Sequence, residues 1–170
     1  IIDELPPGRS PVKTRIVPEE KRADMYGFLR KELDGGRQAY IVCPLVEDSE
    51  ESDGLRSVKK HAADWSAGEL NGYSLGLTYG TQSPLEKQEV LRAFAAGEIQ
   101  ALVSTTVIAV GIDVPNATVI AIEDADCFGL AQLHQLRGRV GRGEHESFCI
   151  LATRATGAAA IARLRILTSN

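Results

Sequence analysis

The chain has 170 residues, 44% hydrophobic and 25% charged, with a formal net charge of −4 from 19 basic and 23 acidic side chains. This is the size and composition of one globular domain, in the range of roughly 100–200 residues, and it excludes a disordered tail, a fibre and a coiled coil. The mildly negative net field means that any nucleic-acid contact has to come from a local basic patch.

Residues 1–11 contain Leu5-Pro6-Pro7-Gly8-Arg9 and a further proline at Pro11, which predicts an extended connector ahead of a domain over 12–170. Val12 to Val17 alternates and predicts a first strand. Pro18 is expected to open a helix, with Glu19 and Glu20 in its first turn and Gly35-Gly36 at its end. Gln38 to Val46 is a short apolar run of the kind found in buried parallel strands. The acidic segment Glu47 to Asp53 reads as a solvated loop, Leu55 to Trp65 as a helix and Tyr73 to Thr78 as a strand.

Ser83-Pro84-Leu85-Glu86 is a capping box with proline at the first helical position. The helix after it should turn Val90, Leu91 and Phe94 inward and stop at Gly97. Further strands are predicted at Ala101 to Ser104, Thr118 to Glu123 and Ser147 to Ala152, with helices at about Leu130 to Arg137 and Gly157 to Leu167. Strands alternating with helices imply an α/β fold of three layers, with a mostly parallel six-stranded sheet and right-handed crossovers.

Cys43, Cys127 and Cys149 are odd in number and form no CxxC pair, so neither a disulfide frame nor a zinc site is expected. Cys43 and Cys149 lie in apolar runs and read as small core hydrophobes, in a reduced cytoplasmic setting. No apolar stretch reaches the ~20 residues of a membrane span, and no signal-peptide pattern is present, so no membrane partner is expected. The chain starts at Ile1 and its one methionine is Met25, which predicts a segment of a longer protein.

Ligands of an open α/β sheet bind outside the carboxyl ends of its strands. Two unusual segments are expected there, Thr105 to Asn116 and Gln135 to Gly143. In the second, Arg137, Arg139 and Arg142 alternate with Gly138, Gly141 and Gly143, and no acid stands between Gln135 and Gly143 to neutralise them. Planar guanidinium forks match phosphate oxygens, and glycines admit close approach. The spacing of Arg139 and Arg142 would put both on one face of a helical turn. A solvated basic face is the competing reading. In the first segment Thr105-Thr106 supplies hydroxyls suited to phosphate contacts and Gly111-Ile112-Asp113 a flexible point with a carboxylate, which could equally be a turn or cap. No G-x-x-x-x-G-K-[ST] occurs, so the domain lacks a P-loop of its own. Without one, Glu123-Asp124-Ala125-Asp126 is not read as a Mg²⁺-holding acidic box, and efficient nucleotide hydrolysis by the domain alone is not expected.

The run from Ser104 to Asn116 and the run Gln135-Leu136-Arg137-Gly138-Arg139-Val140-Gly141-Arg142 resemble motifs V and VI of superfamily 2 helicases. The longer run Phe128 to Gly143 resembles the RecG and Mfd branch, and Leu5-Pro6-Pro7-Gly8-Arg9, His134 and Gly143 favour the RecG-like family. The resemblance implies a second RecA-like (P-loop NTPase-type) motor lobe of an ATP-dependent DNA helicase that remodels branched DNA. ATP would lie between this lobe and a preceding one, with Mg²⁺ held by that preceding lobe. It implies Arg139 and Arg142 as catalytic arginine fingers, Gly111, Asp113, Gln135 and Gly138 as ATP-binding, and Thr105, Thr106 and Arg137 as DNA-binding. Implied partners are DNA, the preceding lobe and a branched-DNA wedge domain of the same chain. An Mfd-like translocase lobe and a non-catalytic binding module are the alternatives. Ala109 stands where the family usually has an acid, and Tyr79-Gly80-Thr81 where it usually has His-Gly-Arg.

Overall fold

The computed structural model describes residues 11–43, 55–79, 82–104, 114–153 and 157–168. The expected connector (apart from Pro11), the acidic segment 47–53 and Pro44 to Val46 lie outside them. Six strands form one sheet: β1 (Val12–Pro18), β2 (Gln38–Val42), β3 (Leu75–Thr78), β4 (Ala101–Ser104), β5 (Ala117–Ile122) and β6 (Ser147–Thr153). Their order is β1-β6-β5-β2-β4-β3, and every described pairing is parallel.

Side chains alternate through the sheet and divide the core into two halves. Ala39, Ile41, Val103, Val119 and Ala121 face α1 (Arg22–Asp34) and α2 (Leu55–Ala67), which bring in Met25, Leu29, Leu33 and Trp65. Tyr40, Val42, Leu102, Ile120, Ile122 and Leu151 face the other way. They meet Phe94 of α3 (Pro84–Ala95), Leu133 and Leu136 of α4 (Leu130–Arg137) and Leu164 of α5 (Ala158–Thr168). The expected three-layer fold is therefore present. Both faces of the sheet are covered, so β2, β4 and β5 are buried along their whole lengths.

Local chemistry sets the element ends. Pro18 stays extended as the last residue of β1, and a 3₁₀ turn at Glu19–Lys21 intervenes before α1, so the helix begins four residues later than Pro18 suggests. Ser83 Oγ accepts from the Glu86 N–H at 3.1 Å and caps α3, with Pro84 at its first position. β3 starts at Leu75 rather than Tyr73, because Tyr73 donates to Asp34 at 2.7 Å and Ser74 bonds Glu98 and Gln100 across the adjoining turn. Among the described residues no helix is long and apolar enough to cross a membrane.

Cys43 and Cys149 are buried and Cys127 is exposed. Burial pushes the Cys43 thiol well up; it lifts Cys149 from 9.0 to about 12, with the Arg137 charge working in the opposite sense. A buried thiol that resists ionisation keeps its proton in the folded chain at pH values where the unfolded chain has lost it. The folded state thus holds its full advantage below about pH 9 and loses it progressively towards about pH 12. We predict that urea-unfolding stability falls over that interval, and that Cys149→Ala makes the fall shallower. An unchanged slope in the variant would exclude this origin.

Candidate functional site

The parallel sheet has two edges with different chemistry. α4 carries the chain from the carboxyl end of β5 back to the amino end of β6, so its last turn arrives at the amino edge of the sheet. The arginine segment therefore sits at the amino edge, not at the carboxyl ends of the strands where it was expected. Gly129 starts α4 and Gln132 Oε1 reaches back to accept from its N–H at 3.0 Å. Leu133, Leu136 and Val140 are buried, while His134 and Gln135 are exposed on the opposite side.

Gly138 caps α4 with φ −68°, still right-handed, and turn bonds at 3.0 and 3.4 Å continue through Arg139 and Val140. Gly141 has φ +83°, a left-handed value that glycine adopts without strain, and its N–H donates to Ser147 Oγ at 3.0 Å. Arg139 and Arg142 consequently lie on a tight loop and not on one face of a helical turn. Arg142 folds back so that Nε donates to the Gly138 carbonyl at 3.2 Å. Both guanidinium side chains are half-buried at the amino edge. Arg137 points elsewhere: its Nη2 donates to the Val12 carbonyl at 3.3 Å, bracing the segment against the start of β1.

The exit of the first segment meets this loop. Val114 is buried and Pro115 lies beside Gly143. A Cβ on Gly143 would sit 2.7 Å from the Pro115 carbonyl oxygen and 3.1 Å from its Cβ, so only glycine allows this approach. Asn116 follows, and its Nδ2 donates to the Gly36 carbonyl at 2.8 Å and to Gln38 Oε1 at 3.0 Å. Thr105, Thr106, Ala109, Gly111 and Asp113 lie outside the described residues, as does Thr81. The structure thus brings Gln135, Gly138, Arg139 and Arg142 together with Pro115 and Asn116 on one edge. By pattern Gln38 reads only as the start of a buried strand, although a polar residue at the head of the apolar run 38–43 is a signal for it; Gly143, which reads as a glycine admitting close approach, does so to Pro115.

The carboxyl edge carries different groups. Ser104 is buried and its carbonyl accepts from Cys43 N–H at 2.8 Å. Tyr79 is half-buried and its carbonyl accepts from Gln82 at 3.3 Å. Glu123 is buried and bonded by Arg22 Nη2 and by Tyr26 Oη, at 3.1 Å for the tyrosine. Trp65 Nε1 donates to the same Tyr26 oxygen at 2.6 Å. Burial first, then the Glu123 charge, raises the Tyr26 pKa; Glu123 and Tyr26 outweigh the burial that disfavours the Arg22 cation. The acidic run is therefore structural at Glu123. Asp126 is likewise engaged, accepting from Thr153 Oγ1 at 2.5 Å. Among the described residues no group of three or more His, Cys, Asp or Glu is placed to hold a metal ion.

A family model described as the helicase conserved C-terminal domain matches residues 20–144. The ATP-dependent DNA helicase RecG of Bacillus subtilis (strain 168) is 46% identical over 172 residues, covering 100% of this chain and 25% of the relative. RecG of Synechocystis sp. (strain ATCC 27184 / PCC 6803 / Kazusa) is 46% identical over 169 residues, covering 99% of this chain and 20% of the relative. The chain thus spans a quarter or less of the length of these two relatives. A solved structure of RecG bound to a three-way DNA junction superposes with a TM-score of 0.81 at 46% identity, covering 99% of this chain and 21% of that one. The C-terminal domain of S. cerevisiae Dbp5, bound to Gle1 and IP6, has a TM-score of 0.62 at 18% identity, covering 94% of this chain and 84% of that one, and shares the fold.

The contact of Gly143 with Pro115 is testable by one methyl group. Gly143→Ala is expected to lower stability by about 1–3 kcal/mol, because backbone has to move. The same change at Gly27 in α1, where a Cβ would meet only the Arg30 guanidinium at 3.8 Å, is expected to raise stability by up to about 1 kcal/mol. Denaturant unfolding of both variants checks the opposite signs.

Proposed function

The chain belongs to the helicase conserved C-terminal domain family, and we propose that it is the second motor lobe of a RecG-like ATP-dependent DNA helicase that remodels branched DNA, such as stalled forks and Holliday junctions. The observation that carries this reading is similarity over essentially the whole of this chain, at 46% identity, to RecG helicases, including the one bound to a three-way junction. The arginine loop is the part of the structure that fits it: two half-buried guanidiniums on a glycine-shaped turn, on the same edge as the exit of the threonine- and aspartate-bearing segment.

In this reading ATP lies between the amino edge of this lobe and a preceding lobe of the same chain. Gln135, Gly138, Gly111 and Asp113 line the nucleotide side. Arg139 and Arg142 reach the phosphates and stabilise negative charge that develops on the transferred phosphoryl, an effect of about 10³–10⁵ in rate. Mg²⁺ is assigned to the preceding lobe, because the carboxylates of the Glu123–Asp126 run are engaged by protein groups at Glu123 and Asp126. Thr105 and Thr106 directly follow Ser104 at the carboxyl end of β4 and are assigned to the DNA backbone. Arg137 is assigned to bracing the loop through Val12, in place of the DNA contact that the resemblance implies. A wedge domain elsewhere in the same chain would supply branch recognition.

Nucleotide and DNA then meet this lobe at opposite edges of one sheet. Closure of the two lobes on ATP brings the arginines to the phosphates and moves the DNA-facing edge with them, which couples hydrolysis to movement. In the full-length protein, Arg142→Ala is expected to retain binding to branched DNA while lowering DNA-stimulated ATP hydrolysis by about 10³-fold or more. Near-normal turnover in a phosphate-release assay would remove the arginine-finger role.

A further inference from the structure

We propose that Gln38 and Asn116 form a buried clamp that positions Arg142 for nucleotide hydrolysis, an inference that rests on the reading just given. Gln38 is the first residue of β2 and is 4% exposed. Both of its amide donors are used and its oxygen accepts. Nε2 donates to the Phe94 carbonyl at 2.6 Å and to the Ile99 carbonyl at 2.8 Å, and Oε1 accepts from Asn116. Asn116 is held three ways by the 36–38 segment: Nδ2 to the Gly36 carbonyl, Nδ2 to Gln38 Oε1, and its own carbonyl to the Gln38 N–H at 3.0 Å. The sheet slips register here, with Gln38 opposite Ala117 but Ala39 opposite Val119. The exit of the segment is thereby held by side-chain bonds together with the Gln38–Asn116 backbone bond, where the ladder is irregular.

A short path runs from the clamp to the arginine. Pro115 precedes Asn116 and touches Gly143, and Gly143 follows Arg142, whose own Nε is tied to Gly138. Each contact on this path involves backbone or a two-donor amide, so displacement at Asn116 has little slack to absorb it before Arg142. A buried amide also calls for explanation on its own. Burying it without partners is costly, and only replacing both bonded partners by apolar groups of the same shape comes near neutral. Its use here is orientation: an amide fixes direction as well as distance.

The test uses the full-length protein with Gln38→Met, Asn116→Ala and both together. ATP turnover at saturating branched DNA, DNA affinity and melting temperature are measured for each. A displacement near 1 Å in a catalytic group lowers rate by up to about 100-fold, so each single variant is expected to lose about tenfold or more in kcat at temperatures well below melting. KM and DNA affinity should stay within about twofold, because the lost interaction acts in the transition state. The double variant should lose no more than the worse single one, since both changes open one clamp. Asn116→Ser keeps a donor hydroxyl and should retain an intermediate kcat, which also serves if Asn116→Ala does not fold. Near-wild-type kcat with a lowered melting temperature, or multiplicative losses in the double variant, would overturn the clamp alone. If the unsubstituted full-length protein shows no DNA-stimulated ATP turnover, the helicase reading fails and the clamp fails with it.

Discussion

Because every strand of the sheet runs in the same direction, the chain has to cross from the carboxyl edge to the amino edge between strands. That constraint governs the rest of the molecule. It buries β2, β4 and β5 between layers of helices, and it sorts the connecting segments into two populations by the edge at which they turn. Segments that leave strands collect at one edge and segments that enter strands collect at the other. The arginine loop enters β6, and Val114–Asn116 enters β5, which is why Pro115 and Gly143, far apart in the chain, become neighbours.

The two edges are stabilised by different physics. At the carboxyl edge a buried carboxylate, Glu123, is balanced by Arg22 and Tyr26, and the tyrosine is in turn held by Trp65 of α2. A charge buried this deeply needs a partner, so the network fixes α1 and α2 against the end of β5. At the amino edge the bonds are neutral amides and carbonyls around Gln38 and Asn116, with a glycine–proline contact beside them. Neutral, directional bonds set position without adding charge. Arg139 and Arg142 lie at this edge together with Arg137, whose guanidinium is bonded to the Val12 carbonyl at the head of β1.

Much of this was readable from residue pattern. The alternation of short apolar runs with amphipathic segments gave the α/β class, and Ser83-Pro84 marked the start of α3 to the residue. Where the reading went astray, a tertiary effect overrode a local rule. Pro18 suits a first helical turn, yet pairing with Thr153 keeps it in β1. The spacing of Arg139 and Arg142 suits a helix face, yet the left-handed Gly141 between them breaks the turn. The rule that ligands lie at carboxyl ends placed the arginine segment there as well, but a helix running the other way delivers it to the amino edge. The bonds of Gln38 and Glu123 depend on which distant segments pack beside them, and no pattern within the chain announces those neighbours.

The unequal burial of the three thiols has a practical side. Two are shielded inside the sheet with ionisation suppressed, and the third, Cys127, sits in the open on the short 3₁₀ turn after β5. Alkylating dyes react with thiolate that they can reach. One sulfur of this lobe is therefore chemically addressable without mutation, and it lies across the sheet from the arginine loop. A fluorophore attached there would report its distance to a second dye elsewhere in the protein, leaving the guanidiniums undisturbed.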